Sequence, residues 1–162
     1  MRSPDETRWA VTGPRHAGIT VSDLDRALAF YCDTLGLELL WRRLYHEPEI
    51  GEIVGVPEAE AFDIAMLQIP GGELQIELLE YKGCDRRSGA TTPADYGTGH
   101  LCLFVDRIDA LYADLSARGV SFRSPHGPVE MTRGANRGGK SLYSLDPDGY
   151  IVEFHQRHMV TA

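Results

Sequence analysis

His16-Ala-Gly-Ile-Thr-Val-Ser-Asp-Leu-Asp-Arg-Ala-Leu-Ala-Phe-Tyr31 begins with apolar residues at every second position and ends with apolar residues at helical spacing. Strand side chains alternate between two faces, whereas helix side chains return to one face every three to four residues. The change of period at Ser22-Asp23 therefore predicts a strand over Arg15 to Val21 feeding a helix. Ser22-Asp23 offers the N-cap, Leu24, Ala27, Leu28, Tyr31 and Leu35 form the apolar stripe, and Gly36 is the stop. The same signals recur at Gly99-His-Leu-Cys-Leu-Phe-Val105, followed by a helical pattern from Ile108 to Arg118 that closes at Gly119. Val21-x-Asp-Leu-Asp-x-Ala-Leu resembles Val105-x-Arg-Ile-Asp-Ala-Leu, and the offset of 84 residues between them also carries His16 onto His100. A duplicated unit explains that spacing economically.

Working outward, the first unit continues with a strand at Leu37 to Leu44 and an acidic connector, Glu47 to Glu60, that reads as a lid or a charged surface turn. Two strands follow, near Phe62 to Ile69 and Leu74 to Tyr81, turned by Pro70-Gly71-Gly72. The second unit adds strands at Val120 to Phe122, Lys140 to Leu145 and Tyr150 to His155. The expected fold is α+β, with two βαβββ modules at residues 14–82 and 98–157. A linker at 83–97 lacks apolar periodicity, and polar tails occupy 1–13 and 158–162.

At 162 residues the chain is about one ordinary domain, long enough to bury a core without staples. A hydrophobic fraction of 43% and a charged fraction of 25% place it among soluble globular proteins. The net charge of −8 repels phosphate backbones and anionic lipid, so nucleic acid and membrane are not expected partners and a small molecule is. Cys32, Cys84 and Cys102 are odd in number and lack C-x-x-C spacing, which fits a reducing cytoplasm.

Each half contributes a histidine early and a glutamate late: His16 with Glu77, and His100 with Glu153. In each strand the residue sits in the phase opposite the apolar one. His16 shares a face with Gly18 and Thr20, Glu77 with Gln75 and Leu79, His100 with Cys102 and Phe104, and Glu153 with Ile151 and His155. Taken singly, each reads more simply as a hydrogen-bonded strand histidine or a solvated glutamate. Together they form a set of nitrogen and oxygen ligands suited to one divalent ion, whether zinc, nickel, cobalt, manganese or iron.

His16 to Tyr31, Leu35-Gly36, Gln75-Ile-Glu-Leu78, Gly99 to Val105 and Asp146-Pro-Asp-Gly-Tyr-Ile-Val-Glu-Phe154 together resemble the vicinal-oxygen-chelate superfamily, to which glyoxalases, bleomycin resistance proteins and extradiol dioxygenases belong. The resemblance implies paired βαβββ modules forming a curved mixed sheet around one metal, with ligands at His16, Glu77, His100 and Glu153. It also implies a lyase, isomerase or epimerase that moves a proton beside a carbonyl, with Glu77 and Glu153 each a candidate base, and a homodimer. Whether a site is built within one chain or shared between two is left open by the symmetry. Relatives that use glutathione carry an Arg and an Asn where this chain has Thr20 and Tyr81, which argues against that cosubstrate. A non-haem Fe(II) dioxygenase is an alternative, needing only His16, His100 and Glu153. A metal-free drug-binding protein is the other.

Gly134-Ala-Asn-Arg-Gly-Gly139-Lys140-Ser141 satisfies the phosphate-loop pattern, but a strand rather than a helix is expected after it, so nucleotide binding is discounted. Arg137 and Lys140 in that stretch, together with His155, are the candidate substrate contacts. Cys102 is expected to be a small core residue.

Overall fold

The computed structural model describes residues 9–89 and 92–158. The first module contains β1 (His16–Thr20), α1 (Leu24–Leu28), β2 (Glu38–Tyr45), α2 (Pro48–Val54), β3 (Ala61–Gln68) and β4 (Gln75–Lys82). The second contains β5 (His100–Phe104), α3 (Ile108–Ala117), β6 (Val129–Glu130), β7 (Lys140–Leu145) and β8 (Ile151–Gln156). Each module folds its strands into a four-stranded mixed sheet, in the orders β1-β4-β3-β2 and β5-β8-β7-β6. The α+β duplication expected from the repeat is the architecture found. The calls on residues 1–8 and 159–162 of the tails lie outside the described residues.

The Asp23 side chain accepts a hydrogen bond from the Arg26 amide and so caps α1. From Ala29 to Thr34 the helix widens into a π-helical turn, a departure from the uniform α-helix expected there. Leu24, Ala27, Phe30 and Tyr31 nevertheless stay buried, so the apolar stripe survives the change of winding. Gly36 then adopts φ +79°, a left-handed conformation that glycine enters without steric cost.

Two segments differ from expectation. The acidic connector contains α2, with Pro48 in its first turn and Gly55 closing it at φ +73°. Both residues are ordinary helix punctuation, masked in the sequence by the high charge of the segment. The strand expected at Val120 to Phe122 is reduced to a bridge between Phe122 and Ser144, flanked by bonds from Leu145 N–H to Ser121 O and from Arg123 N–H to Tyr143 O. The chain leaves β7 around Pro125-His-Gly-Pro128 and rejoins it as β6, because the two prolines cannot donate to a ladder.

One hydrophobic core runs through both modules and includes Ile19, Leu24, Ile76 and Leu78 with Leu103, Ile108, Leu142 and Phe154. Each such side chain contributes about 1.5–3 kcal/mol on burial, offset by chain entropy. The modules are also joined by polar contacts. Tyr31 donates its phenol proton to Asp146 Oδ2 at 3.0 Å, while Ser22 and Arg26 both reach Asp148.

Candidate functional site

The first and last strands of each module lie side by side and parallel, and this brings an early histidine to a late glutamate. In the first module Gly18 is in register with Glu77, and His16 stands two residues before it on the same face. His16 Nε2 is 3.3 Å from Glu77 Oε2. In the second module Cys102 is in register with Glu153, and His100 Nε2 is 3.3 Å from Glu153 Oε2. The opposite phase, Ile19, Ile76, Leu78, Leu101, Leu103, Val152 and Phe154, is buried in the core.

The donor set can be tested for its fit to a metal. Ligand atoms about 2.0–2.2 Å from one ion, at tetrahedral or octahedral angles, lie roughly 3–3.4 Å from one another. The 3.3 Å separation within each pair matches that span. The side chains of His16, Glu77, His100 and Glu153 are 26%, 19%, 44% and 17% exposed, so each pair opens on solvent. Among the described residues no three His, Cys, Asp or Glu side chains of one chain converge on a common point. Each module thus carries one His–Glu pair.

The halves have diverged around their glutamates. Glu77 faces Gly18 on one side and Met66 on the other. A Cβ added at Gly18 would lie 3.8 Å from Glu77 Oε2, in open contact. Glu153 faces Cys102 and Tyr143 in the same registers. Burial, and then the charge and hydrogen bonding of Glu153, push the Cys102 thiol up to about 11, so it is a protonated neighbour of the carboxylate. The Tyr143 phenol is raised first by burial, then by the charges of Glu153 and Cys102 and by its hydrogen bond to Glu153, and its ring packs against His100 with centroids 5.4 Å apart. Tyr81 is raised first by burial and then by the through-space charge of Glu77.

The candidate substrate contacts separate. His155 is buried beside Glu153, and its Nδ1 lies 2.8 Å from Ser141 Oγ. Lys140, one residue earlier, points to the helix side of the sheet and pairs with Asp109 at 2.6 Å, away from the face of Glu153. Arg137 sits in the turn before β7, where its amide bonds to Gly134 O. That glycine-rich stretch leads into a strand, as expected. Cys102 is exposed on the site face rather than in the core, because the residue of β5 that points inward is its neighbour Leu103.

Ser141 and Tyr143 were not singled out from the sequence. The turn Asp146-Pro-Asp-Gly149 sets the register that places Tyr143 opposite Glu153 and Ser141 opposite His155, so counting back through that hairpin would have found them. A cavity of about 760 Å³ lies between the modules, lined by Thr20, Ser22, Arg86, Arg87, Gly99 and Tyr150. Neither His–Glu pair lines it, although Gly99 adjoins His100.

Residues 13–154 match the Glyoxalase/Bleomycin resistance protein/Dioxygenase superfamily. A lactoylglutathione lyase of Haemophilus influenzae is 32% identical over 143 residues, covering 86% of this chain and 88% of that protein. A 2-epi-5-epi-valiolone epimerase of Actinomyces sp. is 30% identical over 140 residues, covering 85% of this chain and 75% of that one. A lactoylglutathione lyase of Schizosaccharomyces pombe is 28% identical over 155 residues, and the match spans only 45% of its length. Among solved structures, a glyoxalase family protein from Bacillus cereus superimposes with a TM-score of 0.78 at 19% identity, covering 94% of this chain and 99% of that one, which is a likeness of fold.

Proposed function

Because the chain belongs to the Glyoxalase/Bleomycin resistance protein/Dioxygenase superfamily, we propose that it is a divalent-metal-dependent lyase, isomerase or epimerase acting by proton transfer beside the carbonyl of a small substrate. The observation that carries this reading is the pair of His–Glu contacts, each 3.3 Å and each at the same place in a duplicated module. His16, Glu77, His100 and Glu153 would hold one ion, with zinc, nickel, cobalt, manganese and iron all compatible with this donor set. A divalent ion there supplies Lewis acidity toward adjacent substrate oxygens.

The rest of the chemistry belongs to the chain. Glu77 and Glu153 are the carboxylates available to accept and return a proton, and both stand on an open face where substrate can reach them. Their opposite origins, one per module, suit a site that approaches substrate from two sides. Since among the described residues no three such ligands of one chain come together, the reading includes a homodimer in which His16 and Glu77 of one protomer meet His100 and Glu153 of its partner. Edge strand β2 supports this, because Leu39, Leu40, Trp41 and Leu44 are all at least 39% exposed and a strand edge with an apolar surface calls for a cover. The thiols of Cys32, Cys84 and Cys102 are free, which supports a cytoplasmic setting. Among the described residues no helix is long and apolar enough to cross a membrane.

The test is the metal content of the purified protein by mass spectrometry, before chelation, after chelation and after reloading, beside Glu153→Ala. Substrate-dependent uptake of solvent deuterium by α-hydroxycarbonyl compounds is followed in parallel. Metal close to one per chain, lost in Glu153→Ala, with deuterium exchange that disappears on chelation, is expected. A wild-type protein that takes up no metal on reloading would remove the reading, and substrate-dependent oxygen consumption with Fe(II) would replace it with an oxygenase.

A further inference from the structure

Behind Glu153 the second module holds a polar pair that the first module lacks. Ser141 Oγ lies 3.1 Å from Glu153 Oε1 and 2.8 Å from His155 Nδ1. At the corresponding registers of the first module stand Ile64 and Leu79, which carry no hydrogen-bonding group in their side chains. A serine hydroxyl has one proton, and an ionised carboxylate can only accept. Ser141 therefore donates to Glu153 and must accept from His155, which fixes the proton of that imidazole on Nδ1. His155 is 7% exposed and its ring meets the edge of Phe104 with centroids 5.7 Å apart, so it is held in place from the side as well.

We propose that Ser141 and His155 are positioning residues that lock the carboxylate of Glu153 in one orientation, leaving the two glutamates of the duplicated site unequal: Glu153 fixed by a relay, Glu77 without one. Ser141 engages Glu153 Oε1, whereas Oε2 is the oxygen that faces His100. Groups that orient a ligand without touching the metal commonly change affinity by roughly 10–100-fold when removed. The inference rests on the metal reading for its consequence but not for its geometry.

Two measurements separate the two. Long-range proton–nitrogen NMR of the full-length, metal-free protein labelled at its histidines should show His155 as the Nδ1–H tautomer, the minor form of a free imidazole, with the signal assigned by its loss in His155→Phe. Ser141→Ala should release it to the ordinary Nε2–H form, and Ser141→Thr, which keeps the hydroxyl, should not. Competition of Co(II) against a chromophoric chelator should then show about a tenfold weaker affinity in Ser141→Ala, restored in Ser141→Thr. Ile64→Ala, the mirror substitution, should lower stability without that loss of affinity. An Nε2–H tautomer in the wild type, or a Co(II) affinity that Ser141→Ala leaves unchanged, would overturn the relay. A wild type that binds no Co(II) while showing the Nδ1–H form would instead remove the metal reading and leave the tautomer to decide the relay.

Discussion

His100 and Glu153 approach to 3.3 Å through Nε2 and Oε2, the same atoms and the same separation that join His16 to Glu77 in the other module. If each pair is half of a site completed by a second copy, damage to different halves should be repairable by mixing. A chain carrying His16→Ala and Glu77→Ala and a chain carrying His100→Ala and Glu153→Ala should each bind no metal alone. Unfolded together, refolded and isolated as a heterodimer with two tags, they should regain one intact site per dimer, half the wild-type metal content. No regain in a heterodimer that has formed would place each site within one chain.

The duplicated halves were legible in the sequence because the signals that matter there are local. Strand alternation and helix period show which face His16, His100, Glu77 and Glu153 take, and that face depends only on residues two positions away. What was hidden depends on register between distant segments. Ser141 is one more polar residue at the start of a strand until the hairpin at Asp146 sets it beside His155, and Lys140 looks like a free substrate-binding cation until Asp109 of α3 is placed beside it. The helix α2 was hidden for another reason. Its seven residues have too little apolar periodicity to outweigh their charge, although Pro48 and Gly55 marked both ends. The divided second strand of the second module follows from proline chemistry at Pro125 and Pro128, neither of which can donate to a ladder.

Arg42 and Asp63 pair across β2 and β3 on the helix side of the first sheet, with Arg42 Nε and Nη2 at 3.1 and 2.8 Å from the two carboxylate oxygens. Those hydrogen bonds hold the Asp63 carboxyl below its ordinary 3.8, against the opposing effect of burial. A carboxylate with a depressed folded value contributes stability that is present above 3.8 and is lost as pH falls through the lower, folded value. Arg42→Met should cost about 1–3 kcal/mol at neutral pH, less than a fully buried pair because Arg42 is partly exposed. Urea unfolding at pH 7 and pH 3 checks it. The difference between wild type and variant should shrink at the lower pH, and a difference independent of pH would show that Asp63 is not stabilised by its partner.

Tyr31 and Asp146 join the modules through one buried hydrogen bond. Burial raises the Asp146 carboxyl above its ordinary 3.8, while the Tyr150 amide, the Tyr31 phenol and the Asp148 amide partly offset that by donating to it. A raised folded value means that the fold favours the protonated form, so this group's contribution is fully present below 3.8 and is lost as pH rises through the folded value. Tyr31→Phe removes one of the donors that ease the ionised form. It should destabilise by about 1–2 kcal/mol at pH 7 and by less at pH 3.5, where the carboxyl is increasingly protonated. The sign is opposite to that of Arg42→Met only in wild-type slope: both variants lose a partner of a carboxylate, so both costs grow with pH. Paired urea titrations of the two variants should show this common direction.

Two glycines, one beside His155 and one beside Glu77, should respond differently to one added methyl group. At Gly139, before β7, a Cβ would lie 2.8 Å from Gln156 O, 3.1 Å from Asn136 O and 3.3 Å from His155 Cε1. The first two are backbone atoms, so the end of β8 or the turn itself must move to admit it. At Gly18, in β1, a Cβ would meet only Leu79 Cδ1 at 3.6 Å and Glu77 Oε2 at 3.8 Å, ordinary contact distances. Neither glycine has the positive φ that would strain an alanine by itself. Gly139→Ala should therefore cost about 1–3 kcal/mol through overpacking. Gly18→Ala should be neutral or stabilise by up to about 1 kcal/mol, because it reduces the freedom of the unfolded chain. Calorimetric Tm values decide between the two sites, and because Gly139 abuts His155, its alanine variant should also move the His155 ring resonances while Gly18→Ala leaves them in place. Equal Tm losses at the two positions would mean that the turn before β7 has more room than this packing allows.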